Sequence, residues 1–244
     1  MGSCQEQDLC ILSPKVGNHD KERLKQMELV AIQLARVAAF LEILSLDPKG
    51  RTTAPEGIAG FGKYYAFAKI PGNIAEMDFQ KGVQFLAGHF NDIAIDQIQL
   101  FNNGISIDTR SSTDNCMLVL QDILDRAHST TGANFVVTRK YFVSQIAFRS
   151  EFKLSALHPI LQPVAERLAA KASLELNHPV VFEPTAILIG PDTSQIKIVP
   201  SIFSIERRID TPFGENTYFS GAPLSTSEHV KLIEEIETAL HQGK

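Results

Sequence analysis

The chain has 244 residues, 44% of them hydrophobic and 21% charged, and a net charge of −5. That length can bury a substantial core, the apolar content excludes a disordered chain, and the acidic balance excludes a general nucleic-acid or membrane-surface coat. Trp is absent while Phe numbers 15, so the aromatic core is mostly Phe. Three cysteines, Cys4, Cys10 and Cys116, make no disulfide framework. They point to a reducing compartment, so a soluble protein in a cytoplasmic location is expected.

The chain opens Met1-Gly2-Ser3-Cys4-Gln5-Glu6, with Glu6 where a myristoylation motif needs Ser or Thr. No basic stretch followed by an apolar run marks a secretory signal. Pro14, Gly17 and Asn18 make residues 1–20 a flexible N-terminal arm, leaving 21–244 as a single α+β domain. From Lys21 to Leu46, apolar residues fall at Met27, Val30, Leu34, Val37, Leu41 and Leu44, alternately three and four apart. This is a heptad seam with Asp20 as its N-cap, and it predicts a long N-terminal helix. Leu29, Ile32, Phe40 and Ile43 lie off the seam, so the helix is either packed inside the domain or shared with a second subunit. A third reading breaks it near Ala35 and continues Val37–Leu46 as a strand. Gln33, Arg36 and Glu42 weigh against a transmembrane segment.

Asp47-Pro48-Lys49-Gly50 reads as a turn. Gly57-Ile58-Ala59-Gly60-Phe61-Gly62 lacks the order and the Lys-Ser/Thr ending of a phosphate loop, and reads as a flexible loop or as a place of close packing. Tyr64–Ile70 then suits a short strand ending at Pro71-Gly72. The most informative stretch is Ile93–Ala127, read as strand, turn, strand, polar bend and helix. Asn102-Asn103-Gly104 supplies a turn expected to use positive φ, which predicts an antiparallel hairpin. In Tyr141–Phe152, Phe142, Ile146 and Phe148 form the inward face of a strand. Ile160–Leu176 carries a helical stripe of Leu161, Val164, Ala165, Leu168, Ala172 and Leu176, with Pro163 in the first turn. Val180–Phe182, Ala186–Ile189 and Ile196–Ile205 are strand-like. Thr211–Leu224 reads as a long loop holding Phe213 and Phe219. A last helix runs from about Ser227 to His241, capped by Ser225 or Ser227, with Val230, Ile233, Ile236 and Leu240 inward. No sequence repeat is visible. The expected fold is α+β, a mostly antiparallel sheet with about four helices packed on it, including the long N-terminal helix.

Few residues point to chemistry. Arg110, Ser111, Ser112 and Thr113 open a helix, flanked by Asp108 and Asp114. Free N–H groups at a helix start, a hydroxyl cap and an arginine could hold a phosphate or carboxylate. Alternatively, Ser112 simply caps the helix and Arg110 pairs with Asp108 or Asp114. Arg207 and Arg208 end a strand and project from opposite faces, so one of them is expected inside with a carboxylate, and either could contact a ligand. Cys116 near a helix start could be an activated thiol or a small buried residue. The histidines show no metal-ligand spacing, and neither a metal nor a cofactor is implied. Two classes remain. The first is a non-catalytic protein-interaction or assembly protein, pairing with a protein partner or itself through residues 21–46. The other is an enzyme or sensor that binds a small phosphorylated or carboxylated ligand at Arg110 and Ser111–Thr113. The absence of a catalytic motif favours the first.

Overall fold

The computed structural model describes residues 27–45, 54–196 and 198–242. The expected arm over residues 1–20, Cys4, Cys10, the cap Asp20 and the Asp47–Gly50 turn lie outside the described residues. In chain order the elements are β1 (Glu28–Ser45), α1 (Ala54–Tyr64), β2 (Val83–Phe90), β3 (Ile93–Phe101), β4 (Gly104–Thr109), α2 (Thr113–Thr131) and β5 (Asn134–Arg149). There follow α3 (Leu154–Leu157), α4 (Gln162–Leu176), β6 (Ala186–Ile189), β7 (Phe203–Arg207), β8 (Thr217–Ala222) and α5 (Thr226–Gln242). All eight strands form one sheet in the order β2-β3-β4-β1-β5-β8-β7-β6, and every neighbouring pair is antiparallel.

The long N-terminal helix is not there: Glu28–Ser45 is a strand in the middle of the sheet, and the first helix begins at Ala54. Ala35, Val37 and Ala39 point into the core, with Val37 0% exposed, while Leu34, Arg36, Ala38 and Phe40 on the other face are half-buried. A period of two thus underlies residues that also happen to fit a three–four spacing. Pairing with β4 on one side and β5 on the other satisfies the backbone, which outweighs the low strand preference of the four alanines in the segment. The heptad seam therefore does not exist as a helical contact face. Val37 is core and Leu41 packs against it.

The glycine-bearing stretch Gly57–Gly62, expected as a flexible loop or a place of close packing, is the body of α1, and a Cβ at Gly62 would lie 2.5 Å from the Ile70 side chain. Ile58 and Phe61 turn inward there against α2 and the sheet. Tyr65–Lys69 is not a full strand but a segment that turns at Ala66, where φ is positive, and covers β2, bonded through Leu86 N to Lys69 O (3.0 Å) and His89 N to Tyr65 O (2.8 Å). The β3–β4 hairpin forms as expected, with Phe101 paired to Gly104. Its turn differs from expectation, because none of Asn102, Asn103 and Gly104 takes a positive φ. Gly104 is required by space instead: a Cβ there would lie 2.7 Å from the Ala39 carbonyl oxygen. In the second half β7 covers only Phe203–Arg207, and the expected loop after Thr211 contains β8.

The order strand, helical segment, three strands, helix occurs twice, the helical segment being α1 in the first half and α3 with α4 in the second, and the strand order mirrors itself about the β1–β5 pair. Ala35 pairs with Thr109 of β4, and Ser144 pairs with Ala222 of β8 in the same way. Ala35 and Ser144 also pair with each other, so a pseudo-twofold axis passes between them. The helices begin at equivalent places, Thr113 and Thr226. Each threonine accepts the other's N–H: Thr113 N to Thr226 Oγ1 is 3.1 Å and Thr226 N to Thr113 Oγ1 is 2.9 Å. Two cores flank the axis on the same sheet face, one around Val37, Phe85, Ile98 and Leu120, the other around Ile146, Phe148, Tyr218 and Ile233.

Candidate functional site

The helix start singled out by sequence lies beside the pseudo-twofold axis, and its polar groups are bonded to one another. Ser112 is the N-cap of α2, its Oγ accepting from Asn115 N at 3.1 Å. Ser111 Oγ accepts from Asn115 Nδ2 at 2.9 Å, and Thr113 is tied to Thr226. Arg110 is mostly exposed and donates from Nε to Asp96 at 2.9 Å, so its partner is neither Asp108 nor Asp114. Asp108 instead takes a two-pronged bond from Arg36 of β1, Nε and Nη2 each 2.6 Å from a carboxylate oxygen. That bond is the first cause of the rise in the Arg36 pKa.

Arg207 and Arg208 differ as the strand faces require. The Arg207 side chain is 3% exposed, and its guanidinium donates to Phe213 O at 2.8 Å and to Glu183 at 3.3 Å, between the Phe213 and Tyr218 rings. Arg208 is exposed. Three strands, β1, β5 and β8, separate β4 from β7, so Arg110 is not brought together with Arg207 or Arg208.

Two buried side chains of nucleophile or base type, Cys116 and His229, lie in the first turns of α2 and α5. The Cys116 thiol bonds to Ala35 O at 3.2 Å, and burial pushes its pKa up to about 11, the opposite of activation. His229 occupies the equivalent place on α5 and meets Ser220 Oγ at 2.8 Å. Ser220 donates to Ser204 O at 2.6 Å, which assigns the imidazole proton to Nε2 and leaves Nδ1 with no partner. Both side chains are fully buried, so this serine–histidine pair has no access to a substrate. Among the described residues no group of three or more His, Cys, Asp or Glu side chains is placed to hold a metal ion.

The sequence reading missed two features. One is an apolar cavity of about 400 Å³ between α1, α2 and the sheet, lined by Leu41, Phe61, Leu100, Ile105, Leu124 and Phe135 among others. Its lining comes from six separate elements, so only the glycines Gly57 and Gly60, packed on its wall, were a local signal. The second is an apolar surface on the second half. The α4 stripe is exposed at Val164, Leu168 and Leu176, as is Leu161 just before it, with only Ala165 of α4 buried. Leu188 and Ile189 of β6 are each 61% exposed. No helix among the described residues is long and apolar enough to cross a membrane.

No protein-family model matches this chain, and no curated protein matches its sequence.

Proposed function

We propose that this chain is a non-catalytic interaction or assembly protein, and that it pairs with a second copy through the outer edge of β6. The observation that carries this reading is the contrast between the two ends of one sheet. At one end, Tyr65–Lys69 occupies the outer edge of β2 with backbone hydrogen bonds. At the other, no backbone bond from the described residues reaches the outer edge of β6. An unpaired edge is a template for another strand, and natural sheets usually block one with charge, proline or a covering segment. Ala186-Ile187-Leu188-Ile189 carries no charge, and Pro184 and Pro191 lie beyond its ends.

The surroundings support the same reading. Most of the exposed large hydrophobic side chains among the described residues fall between Ile160 and Ile209. Concentrated apolar area of this kind marks an interaction surface more often than a solvated one. The alternative, an enzyme or sensor taking a phosphorylated or carboxylated ligand at Arg110 and Ser111–Thr113, has less behind it, since those groups already bond to one another and to Asp96.

Light scattering after size exclusion tests the proposal. The parent should be a dimer or larger at micromolar concentration. The double variant Leu188→Lys, Ile189→Lys should be smaller, with unchanged circular dichroism, because both side chains are already in water. A parent that is monomeric, or a variant that assembles like the parent, overturns it.

A further inference from the structure

We infer that the apolar cavity of the first half binds an amphipathic small molecule, a hydrocarbon tail within the cavity and an anionic head group at Arg126. The inference is independent of association through β6.

The pseudo-twofold axis supplies an internal control. Leu41 N bonds to Asn103 O in the first half, and Ser150 N bonds to Asn216 O in the second, so Leu41 and Ser150 are equivalent. Counting along the helices from Thr113 and Thr226, Leu124 is equivalent to Glu237. In the second half these positions close a buried polar network. Glu237 accepts from Met27 N at 2.7 Å and from the Ser150 hydroxyl, which also accepts from Phe152 N at 3.3 Å. The hollow beside that network has a mixed lining, with Glu151, Lys153, Gln162 and His241 among Phe152, Pro159 and Leu240. In the first half the same two positions are leucines, and they face an open apolar space of about 400 Å³. Pockets that hold small molecules run from roughly 300 to 1,000 Å³ and are mostly apolar with a few placed polar groups.

Arg126 and Glu56 are the charged side chains on the cavity wall. The Arg126 guanidinium lies over the Tyr64 ring, 3.1 Å from the centroid, and its buried Nε has no hydrogen-bond partner. Asp122, one turn earlier, is engaged by Tyr65 Oη at 2.5 Å and Tyr64 Oη at 3.4 Å. Among the described residues the Arg126 guanidinium makes no hydrogen bond or ion pair, so a carboxylate or phosphate head would supply the acceptor its terminal nitrogens lack, while the tail would cover the leucine, isoleucine and phenylalanine wall. The apolar depth and the unpaired guanidinium on its wall together suit an anionic amphiphile.

Decanoate and 1-decanol are the probes, titrated calorimetrically and followed by methyl NMR. Gly60 lies on the cavity wall, and a Cβ there would meet nothing within 4 Å. Gly60→Leu therefore blocks the space without a clash and improves the helix. The parent should bind one decanoate, shifting the methyl signals of Leu41, Ile105 and Leu124. Gly60→Leu should weaken this by at least about tenfold with no loss of melting temperature. Arg126→Gln should weaken decanoate by about fivefold and leave 1-decanol unchanged. Three results would overturn the inference. They are no saturable one-to-one binding, methyl shifts confined to residues 160–209 in the parent, and equal loss of both probes in Arg126→Gln.

Discussion

Arg207 shows what burial asks of a single charge. The Phe213 and Tyr218 rings, the Phe213 carbonyl and Glu183 replace part of the water its guanidinium gave up, and its buried Nε has no hydrogen-bond partner. Arg207→Ala removes the cation and leaves Glu183, which is largely buried, without that partner. It should cost roughly 3–5 kcal/mol in a urea titration. Arg208→Ala, one residue on and in solvent, should melt like the parent. His229 makes the opposite demand, since burial pushes its pKa down to about 4 and the folded protein holds it neutral. The unfolded chain takes up that proton near pH 6.5. Stability should thus be flat from this group above pH 6.5 and fall as pH drops towards 4, by roughly 3 kcal/mol in all. His229→Gln keeps an N–H for Ser220 and cannot titrate. Its urea midpoint should lose that part of the slope between pH 6.5 and 4, and an unchanged slope would show that His229 is not the group responsible.

Among the elements, the helix starts are the most tightly specified. The first N–H groups of a helix have no partner within it, and Thr113 and Thr226 solve this for each other across the pseudo-twofold axis. Thr113→Val removes the acceptor for Thr226 N without changing shape, and should cost about 1–3 kcal/mol, the penalty for an unpaired buried donor. Thr226→Val should cost the same. Both are to be read by thermal melts, and a neutral pair would mean that water satisfies these amides. Much of this was legible in the chain. Isoleucines alternating through Ile93–Ile107, followed by Ser112 and a leucine-rich helix, follow local rules that the tertiary structure does not contradict. Phe142, Ile146 and Phe148 likewise lie on the inward face of β5. β1 was legible only in its second half, where a strand over Val37–Leu46 was one of three readings, because an inner strand with apolar or small residues on both faces resembles a helix when only spacing is read. β8 was hidden by the Gly and Pro on either side of Thr217-Tyr218-Phe219, although its own residues are strong strand formers. The strand faces put one of Arg207 and Arg208 inside, but gave neither which one nor its partner. Glu183 lies beyond β6 and the loop after it in sequence, and only the pairing of β6 with β7 brings it close.

At the scale of the whole molecule, no local signal could reveal the twofold arrangement. The halves share a layout and not a sequence pattern, and their equivalent positions have diverged in chemistry. Cys116 corresponds to His229, Leu41 to Ser150 and Leu124 to Glu237. The same scaffold thus carries a hollow apolar core on one side and a closed polar network on the other. The seam between them, β1 against β5, also sets an order in time. A chain is made from its N-terminus, so every residue of the first half emerges before the first residue of β5 exists. During that interval β1, eighteen residues long, can pair with β4 on one side while its other side stays open. The partner it lacks is identical on every neighbouring copy being synthesised. Closing this seam is therefore a race between a chain finding its own second half and finding another's, and slow synthesis across Gly132 would favour exchange of halves between molecules.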